Sequence, residues 1–305
     1  MMKKLLSFLV FMLIISGILA GCGTSSSSGS AKKDKFVIAY LPQESDEQMQ
    51  KTYSNFEKEL SEKIGVKVEA YQANSYNAAI EAMKNNKADM AMFGPFSYIV
   101  AEERADAELI ANLNNPELEG QAPSVIVVPK DSDIQTIADL EGKTIGFADP
   151  VSTTGHLLPK STIVKELGIG VEDLEKSFFK SVQFAGGHDK ALIGVVRGQY
   201  DAAGVSAMMP AMLEEKGIIE KGSYRVIAES ESIPVGAPFA VRSGLDQEMK
   251  DNIKKFLLSY DDPQYFKNIL GTENAKFMEA SDSDYDQLRD IAEMLNLSPE
   301  QLLES

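Results

Sequence analysis

The sequence predicts an α/β protein with two lobes and a ligand cleft between them. Strand-like and helix-like segments alternate along most of the chain, which indicates sheets with mainly parallel strands. About 270 residues follow the polar N-terminal segment, and single cores stop growing at about 250 to 300 residues, so this length is enough for two lobes. The chain is expected to cross between the lobes twice, near residues 122–129 and 228–238.

The first lobe is predicted over residues 36–122 and 230–305. Its first helix has apolar residues at steps of three and four, which mark one helical face. The strand that follows alternates between polar and apolar residues. In chain order, we predict a strand at 35–40, a helix at about 46–64, a strand at 66–71, a helix at 76–86 and a strand at 88–93, and after the second lobe a strand at 239–241 and helices at 247–260 and 285–295.

The second lobe is predicted over residues 123–229. It repeats the alternation of apolar strands with helices, although no internal sequence repeat is visible. The predicted elements are strands at 124–129 and 144–148, a helix to about 167, a strand at 182–185, a helix at 189–197, a strand at 201–205 and a last strand-like segment at 224–229.

The N-terminus has the order of an export signal, with two lysines before an apolar stretch at residues 5–18. That stretch is shorter than the roughly 20 residues a helix needs to cross a bilayer, so we expect residues 1–21 to be removed as a signal peptide. Residues 22–35 are polar and predict a flexible tether.

The run Leu19-Ala20-Gly21-Cys22 resembles the lipobox of bacterial lipoproteins, in which the cysteine receives a diacylglyceryl group and becomes the new N-terminus. An ordinary signal with a chance cysteine is the alternative. Cys22 is the single cysteine, which excludes an intrachain disulfide and a Cys-rich metal site. We expect lipid attachment to the extracytoplasmic face of the cell membrane, and neither a metal nor a cofactor.

The chain is acidic, with 46 Asp and Glu against 30 Lys and Arg and a formal charge of −16. Such a surface argues against nucleic acid and against anionic lipid as partners. An anionic ligand stays possible, because neutral dipoles can hold a buried oxyanion.

The most informative stretch is residues 148–159, which follows an apolar strand. Ser152, Thr153, Thr154 and Gly155 open a helix there. Hydroxyls and free backbone N–H groups converge at such a point, and the helix dipole adds positive potential, so an oxyanion is favoured without a lysine. The alternative is plain N-capping by Ser152 or Thr153.

Together with three other segments, this stretch resembles the phosphonate, phosphite and phosphate binding lipoproteins of ABC importers, which have the type II periplasmic-binding fold. The resemblance covers nearly all of the mature chain. It is carried by Ala73-Asn74-Ser75-Tyr76, by Phe93-Gly94-Pro95-Phe96-Ser97-Tyr98, by the run Asp-Pro-x-Ser-Thr-Thr-Gly-x-Leu-x-Pro from Asp149, and by Gly187-His188-Asp189 followed by Tyr200-Asp201-Ala202-Ala203.

The resemblance implies that Ser152, Thr153 and Thr154 contact phosphonate oxygens, while Tyr76 and His188 reach in from the opposing lobe and a neighbouring turn. Hydroxyl, phenol and imidazole supply the several donors that a tetrahedral oxyanion needs. His156 lies inside the helix turn and is expected to be structural. Three further residues are expected on the pocket wall: Phe93, Tyr98 and Met208.

Family members that take aminoethyl phosphonates carry an acidic residue twenty positions after the histidine and another in the second crossover. Here these positions hold Met208 and the pair Gly236-Ala237. A buried ammonium without a carboxylate costs several kcal/mol. We therefore predict methylphosphonate, phosphite or another short alkylphosphonate as ligand, with phosphate as the closest competitor and other oxyanions or organic acids as further alternatives.

An exported hydrolase is the alternative from another class. Only His156 and His188 are available, and the metal-protease and serine-hydrolase motifs are absent. Ser177 and Lys180 match Ser-x-x-Lys, but the companion motifs of penicillin-binding enzymes are missing. We expect no chemical step: the liganded, closed monomer docks on an ABC permease with a cytoplasmic ATPase.

Overall fold

The computed structural model describes residues 35–42, 47–118, 123–233, 236–297 and 299. The predicted signal peptide, Cys22 and the tether up to residue 34 lie outside the described residues. Lys35, the last residue of the predicted tether, is the first residue of a strand. Within the described part of the chain, no helix combines the length and the apolar character that a membrane span requires.

A first sheet has six strands in the order β11-β4-β10-β3-β1-β2. β1 pairs in parallel with β2 and β3, whereas β10 runs antiparallel to β3 and β4, and β11 antiparallel to β4. We call the part of the chain built on this sheet lobe 1. Its strands are β1 Lys35–Tyr40, β2 Lys67–Gln72, β3 Met90–Met92, β4 Ala107–Asn114, β10 Ala237–Arg242 and β11 Lys276–Met278.

A second sheet has five strands in the order β7-β6-β8-β5-β9, and we call the part built on it lobe 2. β6 pairs in parallel with β7 and β8, whereas β5 runs antiparallel to β8 and β9. The strands are β5 Ser124–Pro129, β6 Thr144–Phe147, β7 Ser181–Phe184, β8 Ala202–Ser206 and β9 Tyr224–Glu229. The chain passes from one sheet to the other between β4 and β5, and returns between β9 and β10.

Helices cover both sheets. Lobe 1 carries α1 Glu47–Ile64, α2 Tyr76–Lys84, α3 Pro95–Ala105, α7 Gln247–Ser259, α8 Pro263–Leu270 and α9 Asp286–Met294. Lobe 2 carries α4 Leu158–Leu167, α5 His188–Val196 and α6 Met209–Glu215. Shorter turns are Pro116–Leu118, Ala138–Leu140, Thr153–Leu157, Val171–Asp173, Leu174–Phe178 and Asp282–Tyr285.

The two α/β lobes confirm the predicted fold class. The expected parallel pairing is confirmed for β1 with β2 and β3 and for β6 with β7 and β8, but each sheet is mixed. The strands β5, β10 and β11 run antiparallel to the strands with which they pair. The sequence analysis also missed β4, β11, α3, α6 and α8. β4 follows α3 without a glycine or proline between them, because Asp106 takes the left-handed conformation (φ 49°) at the helix end.

Apolar packing joins the lobes beside the start of α4. Val151, Leu157 and Leu158 of lobe 2 belong to the same buried cluster as Tyr98 and Leu288 of lobe 1. This cluster fixes the segment between β6 and α4 against lobe 1. Separate buried clusters fill the rest of the two lobes. One of them, in lobe 1, contains the packed rings of Phe56, Phe256 and Tyr265.

We expect Asp89→Ala to lower the free energy of unfolding by about 3–5 kcal/mol, because removal of one partner leaves a charge poorly compensated. Asp89 is 1% exposed, its Oδ1 accepts from Arg242 Nε at 2.7 Å, and its Oδ2 accepts from Val37 N at 2.9 Å. Urea unfolding measures the change. Glu172→Gln, at an exposed pair with Lys176, is the control and should cost about 0.5 kcal/mol or less. Equal losses in both variants would contradict this.

Candidate functional site

Four helical segments begin close to one another. α2 begins at Tyr76, α3 at Pro95, α5 at His188, and the π-helical turn Thr153–Leu157 leads into α4. The backbone N–H groups of Tyr76 and Phe96 and the imidazole of His188 bond to side chains of residues 149–155, a segment that we call the site loop. The site loop therefore lies where several helix N-termini meet. Because the N-terminal end of a helix carries positive potential, this position favours negative charge.

Ser152 is the central hydroxyl of the site loop. It is extended (φ −77°, ψ 128°) and buried, and its Oγ accepts from Gly155 N at 3.0 Å. Its Oγ also lies 3.3 Å from His188 Nε2. The sequence analysis weighed N-capping against anion binding at this residue, and the structure has the capping bond. Capping uses a lone pair of the hydroxyl and leaves its proton available.

His188 has a defined tautomer. Ser206 N donates to His188 Nδ1 at 3.1 Å, so Nδ1 must carry the lone pair and the proton of the neutral ring is assigned to Nε2. Nε2–H therefore donates toward Ser152 Oγ. Burial lowers the pKa of His188 to about 4, so the ring is neutral at pH 7. Both lone pairs of Ser152 are then engaged, so its O–H is left to donate to the neighbouring Tyr76 phenol or to a ligand.

Tyr76 adds a second neutral donor from lobe 1. Its side chain is buried, and burial, with the charge of Asp149, raises the pKa of the phenol above its usual range, while the neighbouring Ser152 hydroxyl offsets part of this shift. The phenol therefore keeps its proton at pH 7.

Thr153 and Asp149 extend from the site loop to the helix starts of lobe 1. Thr153 Oγ1 accepts from Phe96 N at 2.8 Å, in the first turn of α3. Asp149 Oδ2 accepts from Tyr76 N at 3.3 Å, at the start of α2, and its Oδ1 accepts from Val151 N at 3.1 Å. Burial raises the pKa of Asp149, and these backbone bonds oppose the shift. Two lobe 2 side chains thus cap two lobe 1 helices.

Gly94 permits the contact of Thr153 with α3. A Cβ at Gly94 would lie 3.1 Å from Thr153 Oγ1, closer than ordinary packing allows. Thr154 is held by its backbone, since Ser124 Oγ donates to Thr154 O at 2.7 Å. The Thr154 side chain forms no hydrogen bond with another described residue, so its hydroxyl is free to meet a ligand.

Of the three expected wall residues, Phe93 lies at the site. It is buried and lines a cavity together with Tyr76 and His188. Tyr98 packs instead against Tyr285 at a centroid distance of 5.0 Å, and its hydroxyl donates to Asp282 Oδ1 at 3.1 Å.

Met208 is half-buried outside that lining, and its Cε lies 4.0 Å from where a Cβ of Gly271 would be. The next residue, Met209, lines the cavity. The wall residue expected at Met208 thus lies one position further on, at Met209. Asp149 and Phe96 were not predicted as site residues, because no local pattern reveals their contacts with the opposite lobe.

His156 and the Ser-x-x-Lys match do not contribute to the donor set. His156 is buried between Phe147 and Phe184, and its Nδ1 donates to Pro150 O at 2.7 Å, which fits a structural role. Ser177, the serine of the Ser-x-x-Lys match, is exposed and donates to Asp173 O at 2.9 Å. Among the residues described, no group of three or more His, Cys, Asp or Glu is arranged to hold a metal ion.

Stability should fall as the pH falls from 7 to 5, because burial lowers the pKa of His156 to about 3 while the unfolded histidine titrates near 6.5. In that window the unfolded chain binds more protons than the folded chain, which favours unfolding. His156 contributes a slope of up to about 1.4 kcal/mol per pH unit. Urea unfolding at pH 7, 6 and 5 measures it. His156→Gln should remove about half of the slope, because burial also lowers the pKa of His188, which keeps its own contribution. Identical slopes in both proteins would exclude His156 as a source.

Comparisons with known proteins identify the family of the chain. A family model described as "ABC transporter, phosphonate, periplasmic substrate-binding protein" matches residues 38–285. The phosphate-import protein PhnD of Mycolicibacterium smegmatis is 26% identical over 286 residues, 88% of each chain. The phosphonates-binding periplasmic protein of Escherichia coli is 29% identical over 254 residues, 82% of this chain and 73% of that protein.

The solved structure of PhnD1 from Prochlorococcus marinus, in complex with methylphosphonate, has the same fold with a TM-score of 0.74 at 21% identity. The match covers 87% of this chain and 99% of that chain. The likeness confirms the expected two-lobed periplasmic-binding fold. With the family model matched over most of its length, the chain belongs to the periplasmic substrate-binding proteins of phosphonate ABC transporters.

Proposed function

We propose that the protein binds a small phosphorus oxyanion in the cleft between its lobes, as the solute-binding component of an ABC importer. The observation that carries this proposal is the set of neutral donors where helix starts meet: the hydroxyl of Ser152, the phenol of Tyr76 and the Nε2–H of His188, which donates toward Ser152 Oγ and is proposed to turn to the ligand. The hydroxyls of Thr153 and Thr154 are proposed to complete the set. Dipoles and neutral donors can hold an anion without a cationic side chain. Relatives named for phosphate and for phosphonates support this ligand class.

The favoured ligands are methylphosphonate, phosphite and short alkylphosphonates, with phosphate as the closest competitor. The two positions where amine-binding family members are expected to carry acids support this choice. Met208 has no charge, and a Cβ at Gly236 would collide with the carbonyl oxygen of Leu113, so an acidic side chain does not fit there. A methylphosphonate complex of a relative with the same fold is in line with a small substituent.

The mechanism has no chemical step. A ligand that touches the site loop and Tyr76 at once favours the closed arrangement, since its contacts with both lobes exist only there. Asp149 and Thr153 add hydrogen bonds across the same boundary, from lobe 2 side chains to the backbone of α2 and α3. The closed monomer then docks on a membrane permease that is driven by a cytoplasmic ATPase.

Cys22 is the proposed lipid anchor, which keeps the binding protein beside its permease on the extracytoplasmic face. More than one acyl chain gives stable attachment. Cys22→Ser should move the protein out of the membrane fraction or block its processing, while ligand affinity stays within about 2-fold of wild type, a difference of about 0.4 kcal/mol. Fractionation followed by titration of the purified protein measures both. Membrane retention of a variant whose signal peptide has been removed would refute the anchor assignment. A large loss of affinity would refute the separation of the anchor from the binding site.

Thermal shift across a ligand panel tests the proposed function. A ligand at a hundred times its dissociation constant should stabilise the folded protein by about 2.7 kcal/mol. We expect stabilisation by methylphosphonate, phosphite or phosphate, and none by acetate or methanesulfonate at equal concentration. Stabilisation by acetate or methanesulfonate alone would mean that this protein binds another class of ligand with the same fold.

A further inference from the structure

A cavity of about 180 Å³ lies beside the predicted oxyanion position. It shares Tyr76 and His188 with the donor set, so it opens where a substituent on phosphorus would emerge. Lobe 1 contributes Met49, Met92 and Phe93 to the lining, and lobe 2 contributes Met209, Met212 and Leu213. The lining is therefore mainly apolar, and thioether side chains form much of it.

Two charged residues also reach this cavity. Asp189 is buried, and its Oδ1 lies 2.6 Å from where a Cβ of Gly187 would be, over the first turn of α5. A carboxylate there is favoured by the positive end of its own helix. Lys216 is exposed and lies at the edge. The interior wall that faces a substituent is thus apolar apart from Asp189.

We propose that this cavity holds the carbon chain of the ligand, and that linear alkylphosphonates of two to four carbons are preferred over phosphite and methylphosphonate. The inference rests on the proposed function and narrows its ligand class. The cavity equals about six water molecules at the roughly 30 Å³ that each occupies in the liquid, so a methyl group fills little of it. Methionine side chains adapt to chains of different shape.

Calorimetric titration with methyl-, ethyl-, propyl- and butylphosphonate tests the proposal. Each added CH₂ up to propyl should tighten binding about 4-fold, which corresponds to about 0.8 kcal/mol per buried methylene. Dissociation constants that stay level or rise with chain length would overturn it. Tighter binding of 2-aminoethylphosphonate than of propylphosphonate would also overturn it, since Asp189 would then bind an ammonium. If phosphite or phosphate binds but no phosphonate does, this inference alone fails; if none of them binds, the proposed function itself fails.

Filling the cavity gives an independent test. Met209→Phe should reduce propylphosphonate affinity at least about 10-fold more than methylphosphonate affinity, because the added ring occupies the space of the chain. Met294→Phe, at a residue 43% exposed, is the matched control and should change neither. Met212→Phe serves the same purpose if Met209→Phe does not fold. Equal losses for both ligands in a folded cavity variant would overturn the proposal.

Discussion

Ser152→Ala should weaken phosphonate binding by about 100-fold. The variant removes a hydroxyl donor to a charged ligand, worth about 1.5–3 kcal/mol, and it also leaves Gly155 N and His188 Nε2 without their acceptor. The loss should appear as a higher dissociation constant. Calorimetric titration with methylphosphonate measures it.

Ser177→Ala is the matched control for this prediction. Ser177 is exposed, bonds only within its own turn, and belongs to the Ser-x-x-Lys match that suggested a hydrolase. Its replacement should leave affinity within about 2-fold of wild type. If Ser177→Ala lost binding and Ser152→Ala kept it, the site loop would not be the ligand site.

Gly155→Ala should be the more damaging substitution, with about 100-fold weaker binding and a lower melting temperature. A Cβ at Gly155 would collide with Ala148 Cβ, and it would lie 2.7 Å from His188 Cε1 and 2.8 Å from Ser152 Oγ. All three neighbours are close-packed, so the site loop must shift. Overpacking of this kind costs about 1–3 kcal/mol, or roughly 2–10 °C in a domain of this size.

Gly170→Ala provides the comparison. Gly170 has φ −70°, which any residue adopts, and a Cβ there would meet only Asp173 Oδ2 at 3.5 Å. Melting curves and titrations of the two variants should therefore differ sharply. Unchanged affinity in a folded Gly155→Ala protein would mean that the spacing of Ser152 and His188 does not matter for binding.

The starts of α2 and α4 could be predicted because their signals are local. Ser75 caps α2 by accepting from Ala78 N, and Ser152 caps the turn before α4. Pro95 opens α3 in the same local way, but that helix was not predicted. Each signal lies within four residues of the element it starts. Alternation of strands and helices then places these starts at strand ends, which is why the predicted residues Tyr76, Ser152 and His188 do meet.

The contacts that join the lobes could not be predicted in this way. Asp149 reaches Tyr76 N, and Thr153 reaches Phe96 N, across sequence separations of 73 and 57 residues. They depend on how two sheets pack, which no periodicity encodes. Which methionine lines the cavity could not be predicted for a related reason. At the start of α6, a step of one residue turns the side chain by about 100°, so Met209 rather than Met208 faces the cavity.

A crystal structure of the protein grown with methylphosphonate tests the central claim most directly. We predict the phosphonate between the lobes, with its oxygens within about 3 Å of Ser152 Oγ, Thr154 Oγ1, Tyr76 Oη and His188 Nε2, and with no lysine or arginine in contact. The methyl group should point toward Met92 and Met209. A phosphonate bound elsewhere, or held by a lysine or arginine instead of these four donors, would contradict the account.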